Sequence, residues 1–459
     1  MEAGHTIRLS GYCSAIRLED LAPEVGEHVK YLLLDFIGLA AKGRIMASTK
    51  MVHKMVEKIG GSGAGTVIAT PLKPLPQYAA LANAASSHCM SLDDIYTPAS
   101  IHPGSAIFAA ALAASERAGV SGTRFMEGVV AGYETTLRVA DAVNSKSHYA
   151  VGWHPTATCG TFGATAAVCR IFGLDGKTTA SALGIAGSMS SGLMAFMQDG
   201  SWTKRIHPGL AAQRGIQAAQ LAAEGFKGPE AVLEGKWGFL AATSREPNST
   251  FLVQGLGQKP RVMDTGLKVH ACCRYNQSAI DAAIDIMNEN DLAPQMVETV
   301  LVETFKAAYP LVVEPWEEKT NPKTDVQAQF SLPYTVAVAI VKRKVGFEAF
   351  SSQTLHDPVV RDIINRVTVK HEPRFDPQFP ISWPARVTIR TSDGRTLSRQ
   401  VDYPKGDVEN PLTWEELVLR FRSHCKGVFE PSKQEQIVDA VKHLESVKPI
   451  SQLTALLGK

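Results

Sequence analysis

Apolar positions recur at helical spacing through the first half of the chain. From residue 22 to about 251 one segment after another reads as helix. Leu32-Leu33-Leu34-Asp35-Phe36-Ile37-Gly38-Leu39-Ala40 lies in a strongly apolar helix, and residues 77–90, 105–118, 122–142 and 156–171 follow. Many of these stretches consist of Ala, Gly, Ser and Thr, as does 180–192. Small side chains let helix axes approach closely, which predicts a tightly packed helical domain rather than a coiled coil.

The period changes after about Gly266. Val297-Glu-Thr-Val-Leu-Val-Glu-Thr-Phe305 and Arg366-Val-Thr-Val-Lys370 alternate as half-buried strands do. Ala385-Arg-Val-Thr-Ile-Arg390, the turn Asp393-Gly394 and residues 396–401 read as a hairpin. Helical signals interrupt these strands at 277–288 and 331–344, so residues 267–404 are expected to form a smaller α+β domain. Pro404-Lys-Gly-Asp-Val-Glu-Asn-Pro411 is a connector rich in turn formers. Thr413-Trp-Glu-Glu416 has capping-box spacing and opens two or three C-terminal helices. Those helices need an apolar partner. The expected fold class is therefore mainly α: a large discontinuous all-helical domain, 1–266 and 405–459, with the α+β unit inserted as a lid.

Composition changes this picture little. A chain of 459 residues exceeds one ordinary core and fits two domains. Its net charge of +2 gives no field for nucleic acid or an acidic membrane. No run approaches the roughly 18 uninterrupted apolar residues of a membrane span, and the opening Met-Glu-Ala-Gly-His-Thr-Ile-Arg lacks an apolar signal region, so a cytoplasmic protein is expected. Seven cysteines stand without Cys-x-x-Cys spacing, which argues for buried reduced thiols over a disulfide framework or a thiolate zinc site.

The candidate chemistry lies in three His-Pro dipeptides, His102-Pro103, His154-Pro155 and His207-Pro208, each followed by a small-residue helical run. Proline suits the first helical position, which would place each His at a helix N-terminus. Free N–H groups and the helix dipole favour an anion there, and the same field keeps imidazole neutral and able to act as a base or a donor. His102 follows Asp93 and Asp94, and paired carboxylates before a His can orient it or divide acid and base roles. Lys204 and Arg205 precede the third dipeptide, and a cation at a helix start is uncomfortable unless an anion arrives, so Lys204 is a candidate carboxylate clamp, with His207 beside it on the substrate side. Lys268-Val-His-Ala-Cys-Cys-Arg-Tyr275 falls at the expected domain boundary, where clefts form. There His270, Cys273 and Arg274 are candidate substrate contacts.

In their order and spacing these segments resemble the MmgE/PrpD family, which includes 2-methylcitrate dehydratases, cis-aconitate decarboxylases and iminodisuccinate epimerases. The likeness runs over nearly the whole length: the Leu34-Asp35-Phe36-Ile37-Gly38 helix, Asp93-Asp94 to His102-Pro103, His154-Pro155, Thr203-Lys204-Arg205-Ile206-His207-Pro208-Gly209, and 268–275. The resemblance implies a helical domain with a lid, an active site between them, a homodimer, and no metal or organic cofactor. It carries the family's catalytic His onto His102, its second active-site His onto His154, its substrate-binding Lys onto Lys204 and an active-site Tyr onto Tyr309. Two positions depart from it. Where the family often has Asp-Phe-Asp-Asp-Thr this chain has Ser91-Leu92-Asp93-Asp94-Ile95, and where decarboxylase-type members use a His it places Cys273. Both changes remove polar groups, which weighs against cis-aconitate decarboxylation. Ser91 remains a candidate substrate contact and Asp93 a candidate catalytic group.

The expectation is therefore an enzyme acting without a cofactor at a carbon beside a carboxylate. A dehydratase-type lyase of a citrate-like di- or tricarboxylate ranks first, ahead of an epimerase, a decarboxylase and an inactive metabolite-binding homologue. Lys204 would hold the carboxylate, and His102 and His154 would move protons.

Overall fold

The computed structural model describes residues 4–459. The chain forms two compact units. The first takes the described part of Met1–Cys89 together with Asp93–Thr265 and Thr413–Lys459; the second takes Met90–Leu92 and Gly266–Leu412. The architecture is mainly helical, with a four-stranded sheet in the second unit. Among the described residues no helix is long and apolar enough to cross a membrane.

Helices of seven residues or more are numbered here. The first unit opens with α1 (His5–Ala15), α2 (Pro23–Gly43), α3 (Ala47–Ile59), α4 (Pro76–His88), α5 (Gly104–Ala118), α6 (Gly122–Ala142), α7 (Pro155–Phe172), α8 (Gly176–Met189) and α9 (Thr203–Ala223). Small residues set their packing. A methyl on Gly163 of α7 would lie 1.7 Å from Thr136 Oγ1 on α6, and one on Gly215 of α9 would lie 2.6 Å from the Ala164 methyl of α7. The axes approach as the Ala/Gly-rich stretches predict. α1 escapes a reading based on apolar spacing, because half of its buried face is polar. Thr6 and Ser10 are buried beside Leu9 and Cys13, and their hydroxyls bond to Glu234 and to the Thr6 carbonyl.

The second unit contains α10 (Gln277–Glu289), α11 (Leu332–Lys342), α12 (Pro358–Arg366) and strands β1 (Val297–Thr304), β2 (Val367–His371), β3 (Ala385–Thr391) and β4 (Thr396–Val401). The sheet order is β2-β1-β3-β4, with β1 parallel to β2 and antiparallel to β3. β3 and β4 form the hairpin expected around Asp393-Gly394, where Gly394 has φ 89°. Alternate residues of β3, Ala385, Val387, Ile389 and Thr391, are buried. The connector after β4 stays with this unit as far as Leu412. Leu267 N–H donates to the Gly406 carbonyl at 2.7 Å, Lys405 N–H donates to Asp281 at 2.7 Å, and Asp407 pairs with Arg274.

The chain then returns to the first unit through α13 (Trp414–Cys425), α14 (Pro431–Lys442) and α15 (Ser451–Leu457). The expected capping box is formed: Thr413 accepts from Glu416 N–H while the Glu416 carboxylate accepts from Thr413 N–H. α13 packs on α2, where Arg420 Nε donates to the buried carboxylate of Asp35 at 2.7 Å.

Candidate active site

Three of the sequence-selected histidines lie in the first unit within one short span. His102 sits just ahead of α5, His154 caps α7, and His207 lies inside α9. The expectation that His207-Pro208 begins a helix is corrected: α9 starts at Thr203, and Pro208 lies within it. Lys204, not His207, therefore occupies the first turn. Inside α9, Pro208 gives up one internal bond, the one its N–H would have made to the Lys204 carbonyl a turn earlier.

A fourth histidine completes the group. His88 closes α4, and its ring centroid is 5.4 Å from that of His102 and 6.4 Å from that of His154; His154 and His207 are 5.1 Å apart. The chain turns sharply after α4 through Ser91, which has φ 54°, and brings Asp93 back onto His88. His88 Nδ1 lies 2.6 Å from Asp93 Oδ2, which also accepts from Ser105 Oγ at 3.0 Å. Sequence reading passed over His88, although its place five residues before Asp93 across a turn was the available signal.

Asp93 and Asp94 have separate partners. Both oxygens of Asp94 lie 3.0 Å from Gly104 N–H at the start of α5, and the Tyr133 hydroxyl donates to Oδ2 at 2.7 Å. Burial, with the neighbouring charge of Asp93 adding to it, pushes the Asp94 carboxyl well above the usual carboxylate range. Asp93 Oδ1 is 3.8 Å from His102 Nδ1. That Nδ1 is 2.7 Å from the backbone carbonyl of Asp94, and His102 N–H donates to Thr156 Oγ1 at 3.2 Å. A carbonyl can only accept, so His102 carries a proton on Nδ1; in its neutral form the lone pair is then on Nε2, the state a base requires.

His154 is held by a short antiparallel contact in which His154 N–H donates to the Gly192 carbonyl at 2.9 Å and Met194 N–H donates to that of Gly152. Gly192 has φ 141°, and a methyl there would come within 2.6 Å of the Ala157 methyl, so only glycine fits. His154 Nδ1 faces His207 Nδ1 at 3.0 Å, and Phe196 meets both rings edge-on. Burial, reinforced by His207 and Lys204, holds His154 well below the ordinary His value. Burial, with His88 and Lys204 adding to it, lowers His207 to about 4. Both rings are neutral at pH 7. The charge of Lys204, in the first turn of α9, acts on both.

The remaining candidates belong to the second unit. His270 Nε2 lies 2.7 Å from Asp281 Oδ1. Arg274 is buried, paired with Asp407 and stacked over Trp383. Tyr309 is half-buried at the start of the turn Tyr309–Val313, edge-on to His371, with its phenol raised by burial and by Glu314. All seven cysteines are free thiols, and all but the half-buried Cys273 are buried. Among the described residues no group of three or more His, Cys, Asp or Glu side chains is arranged to hold a metal ion.

Comparison with known proteins covers both units. Residues 7–252 match the MmgE/PrpD N-terminal domain and residues 270–446 the MmgE/PrpD C-terminal domain. A cis-aconitate decarboxylase-like protein of Aspergillus oryzae, oryM, is 27% identical, with all of this chain and 98% of the relative covered. A cis-aconitate decarboxylase of Aspergillus terreus is 28% identical over all of this chain and 96% of its own length, and one of Homo sapiens is 25% identical over 96% and 92%. With both domains matched in order along nearly its full length, the chain belongs to the MmgE/PrpD family.

Proposed function

We propose that the chain is a lyase that works by proton transfer and charge stabilisation at a carbon adjacent to a carboxylate in a citrate-like di- or tricarboxylic acid. The observation that carries this reading is the state of His102. Its Nδ1 is committed to the Asp94 carbonyl, so its Nε2 is a base, set in a buried cluster with neutral His154 and His207. A proton beside a carboxylate is weakly acidic, and its removal needs both a positioned base and donors for the enolate-like charge. His102 serves as the base. His154 and Lys204 face the developing charge, and Lys204 holds the carboxylate.

Within the lyase class, the names of the relatives make a cis-aconitate-like acid the first substrate to test, and loss of CO2 the first reaction. Dehydration is the second reading. It is favoured by the defined lone pair on His102, since loss of water begins with proton removal, and by Ser91 and Cys273, which depart from the decarboxylase pattern. The test is proton NMR in D2O with cis-aconitate, citrate, 2-methylcitrate and iminodisuccinate. Product signals that lack one carboxylate, its carbon released as CO2, or a new alkene proton signal formed with loss of water and no loss of carbon, identify the lyase type. Deuterium entering recovered substrate with neither change would instead make the protein an epimerase. His102→Ala is expected to lower turnover by about 10²-fold or more, and undiminished turnover would end the assignment.

A further inference from the structure

His154 and His207 meet through like atoms. Their Nδ1 nitrogens are 3.0 Å apart, with the rings inclined at 42°. At that distance one nitrogen carries the proton and the other the lone pair. Both rings are buried and neutral at pH 7, and Phe196 closes against each of them. Two neutral imidazoles joined Nδ1 to Nδ1 by one proton are necessarily opposite tautomers. The donor keeps a lone pair on Nε2, whereas the acceptor carries N–H on Nε2. What His154 presents at Nε2 is therefore decided by its neighbour.

His102 is already fixed with a lone pair on Nε2, by a carbonyl that can only accept. A second lone pair on His154 would make it another base beside His102 and leave no N–H on His154 itself for the charge that proton removal creates. A neutral imidazole N–H meets that need, since it can stabilise an enolate oxygen without parting with its proton. We propose that His207 is a positioning residue that donates its Nδ1–H to His154 Nδ1, and so holds His154 as a neutral Nε2–H donor aimed at the developing negative charge. His207 then acts through His154, and not on substrate as the sequence alone suggested. The assignment rests on the lyase reading above, but the tautomer exists in the resting enzyme and is measured without turnover.

Nitrogen-15 NMR of histidine-labelled protein tests this directly, with the signals assigned through His154→Gln and His207→Asn. The expected pattern is His154 protonated on Nε2 and His207 protonated on Nδ1. The reverse pattern, or a charged ring at pH 7, would overturn the proposal. Kinetics supply the second arm. Asn places an amide nitrogen where His207 has Nδ1, so His207→Asn keeps the donation and is expected to retain most of kcat. His207→Phe removes it and is expected to lower kcat by about 10²-fold with KM little changed. Equal losses in both variants would assign His207 a merely structural part and sink the idea. If no acid on the panel is turned over, the lyase reading fails while the NMR result still decides the tautomer.

Discussion

Asp94 shows what a single buried carboxyl does here. It accepts from Gly104 N–H and from Tyr133 while its own carbonyl orients His102, so one residue ties the start of α5, the middle of α6 and the His102 ring together. Burial disfavours the charge on this carboxyl, so Asp94→Asn should be tolerated, with unfolding free energy changed by no more than about 1 kcal/mol. Asp94→Ala strands two buried donors and should cost about 3 kcal/mol or more; urea unfolding of the two variants measures the difference. The pair Asp93-Asp94 was visible in the sequence, but the division of labour between them was not. Which carboxyl meets His88 and which meets Tyr133 depends on α6, some forty residues away, and no local pattern reports that. Tyr133 itself, one aromatic residue in a long apolar helix, gave no sign of a polar task.

The elements were largely legible where one face is apolar and the run is long. Helix α6 and strand β4 fall within their expected bounds, and α5, α7, β1 and β3 within a residue or two, because period and turn chemistry agree there. The signal failed in two ways. α1 buries hydroxyls in place of hydrocarbon, and α12 is too short to show a period. The start of α9 was misread because Pro208 looks like a first-turn residue, whereas Thr203 precedes it by more than a turn. Close packing at this scale gives a prediction of its own. Gly163→Ala would drive a methyl to 1.7 Å from Thr136 Oγ1 and 2.7 Å from the Gly132 carbonyl. It is expected to destabilise by about 2 kcal/mol or more. Thr136→Ala in the same chain should recover part of the loss, since only the hydroxyl clash is relieved, and a double-mutant cycle should show favourable coupling.

For the molecule as a whole, the buried histidines set the response to acid. His148 and His207 are lowered to about 4 by burial, and His154 lies well below its ordinary value. Unfolded, each binds a proton near pH 6.5. Between those values the unfolded chain holds more protons than the folded one, so stability is lost as pH falls, by up to about 1.4 kcal/mol per pH unit for each such ring. Asp94, raised by burial, acts in the opposite sense and loses stability as pH rises above the unfolded carboxylate range. Tm should therefore decline between about pH 6.5 and 4, and a flat profile in differential scanning fluorimetry would contradict the neutral state of these rings.

The pairing of Asp35 with Arg420 spans 385 positions of sequence, and it bears on the order in which the chain is built. Every strand of the sheet is synthesised before Thr413. Until Arg420 follows, the first unit holds an acidic side chain in α2 without the cation that meets it in the folded chain. A stop codon near residue 412 would then leave no merely shortened enzyme but a nascent core that cannot close.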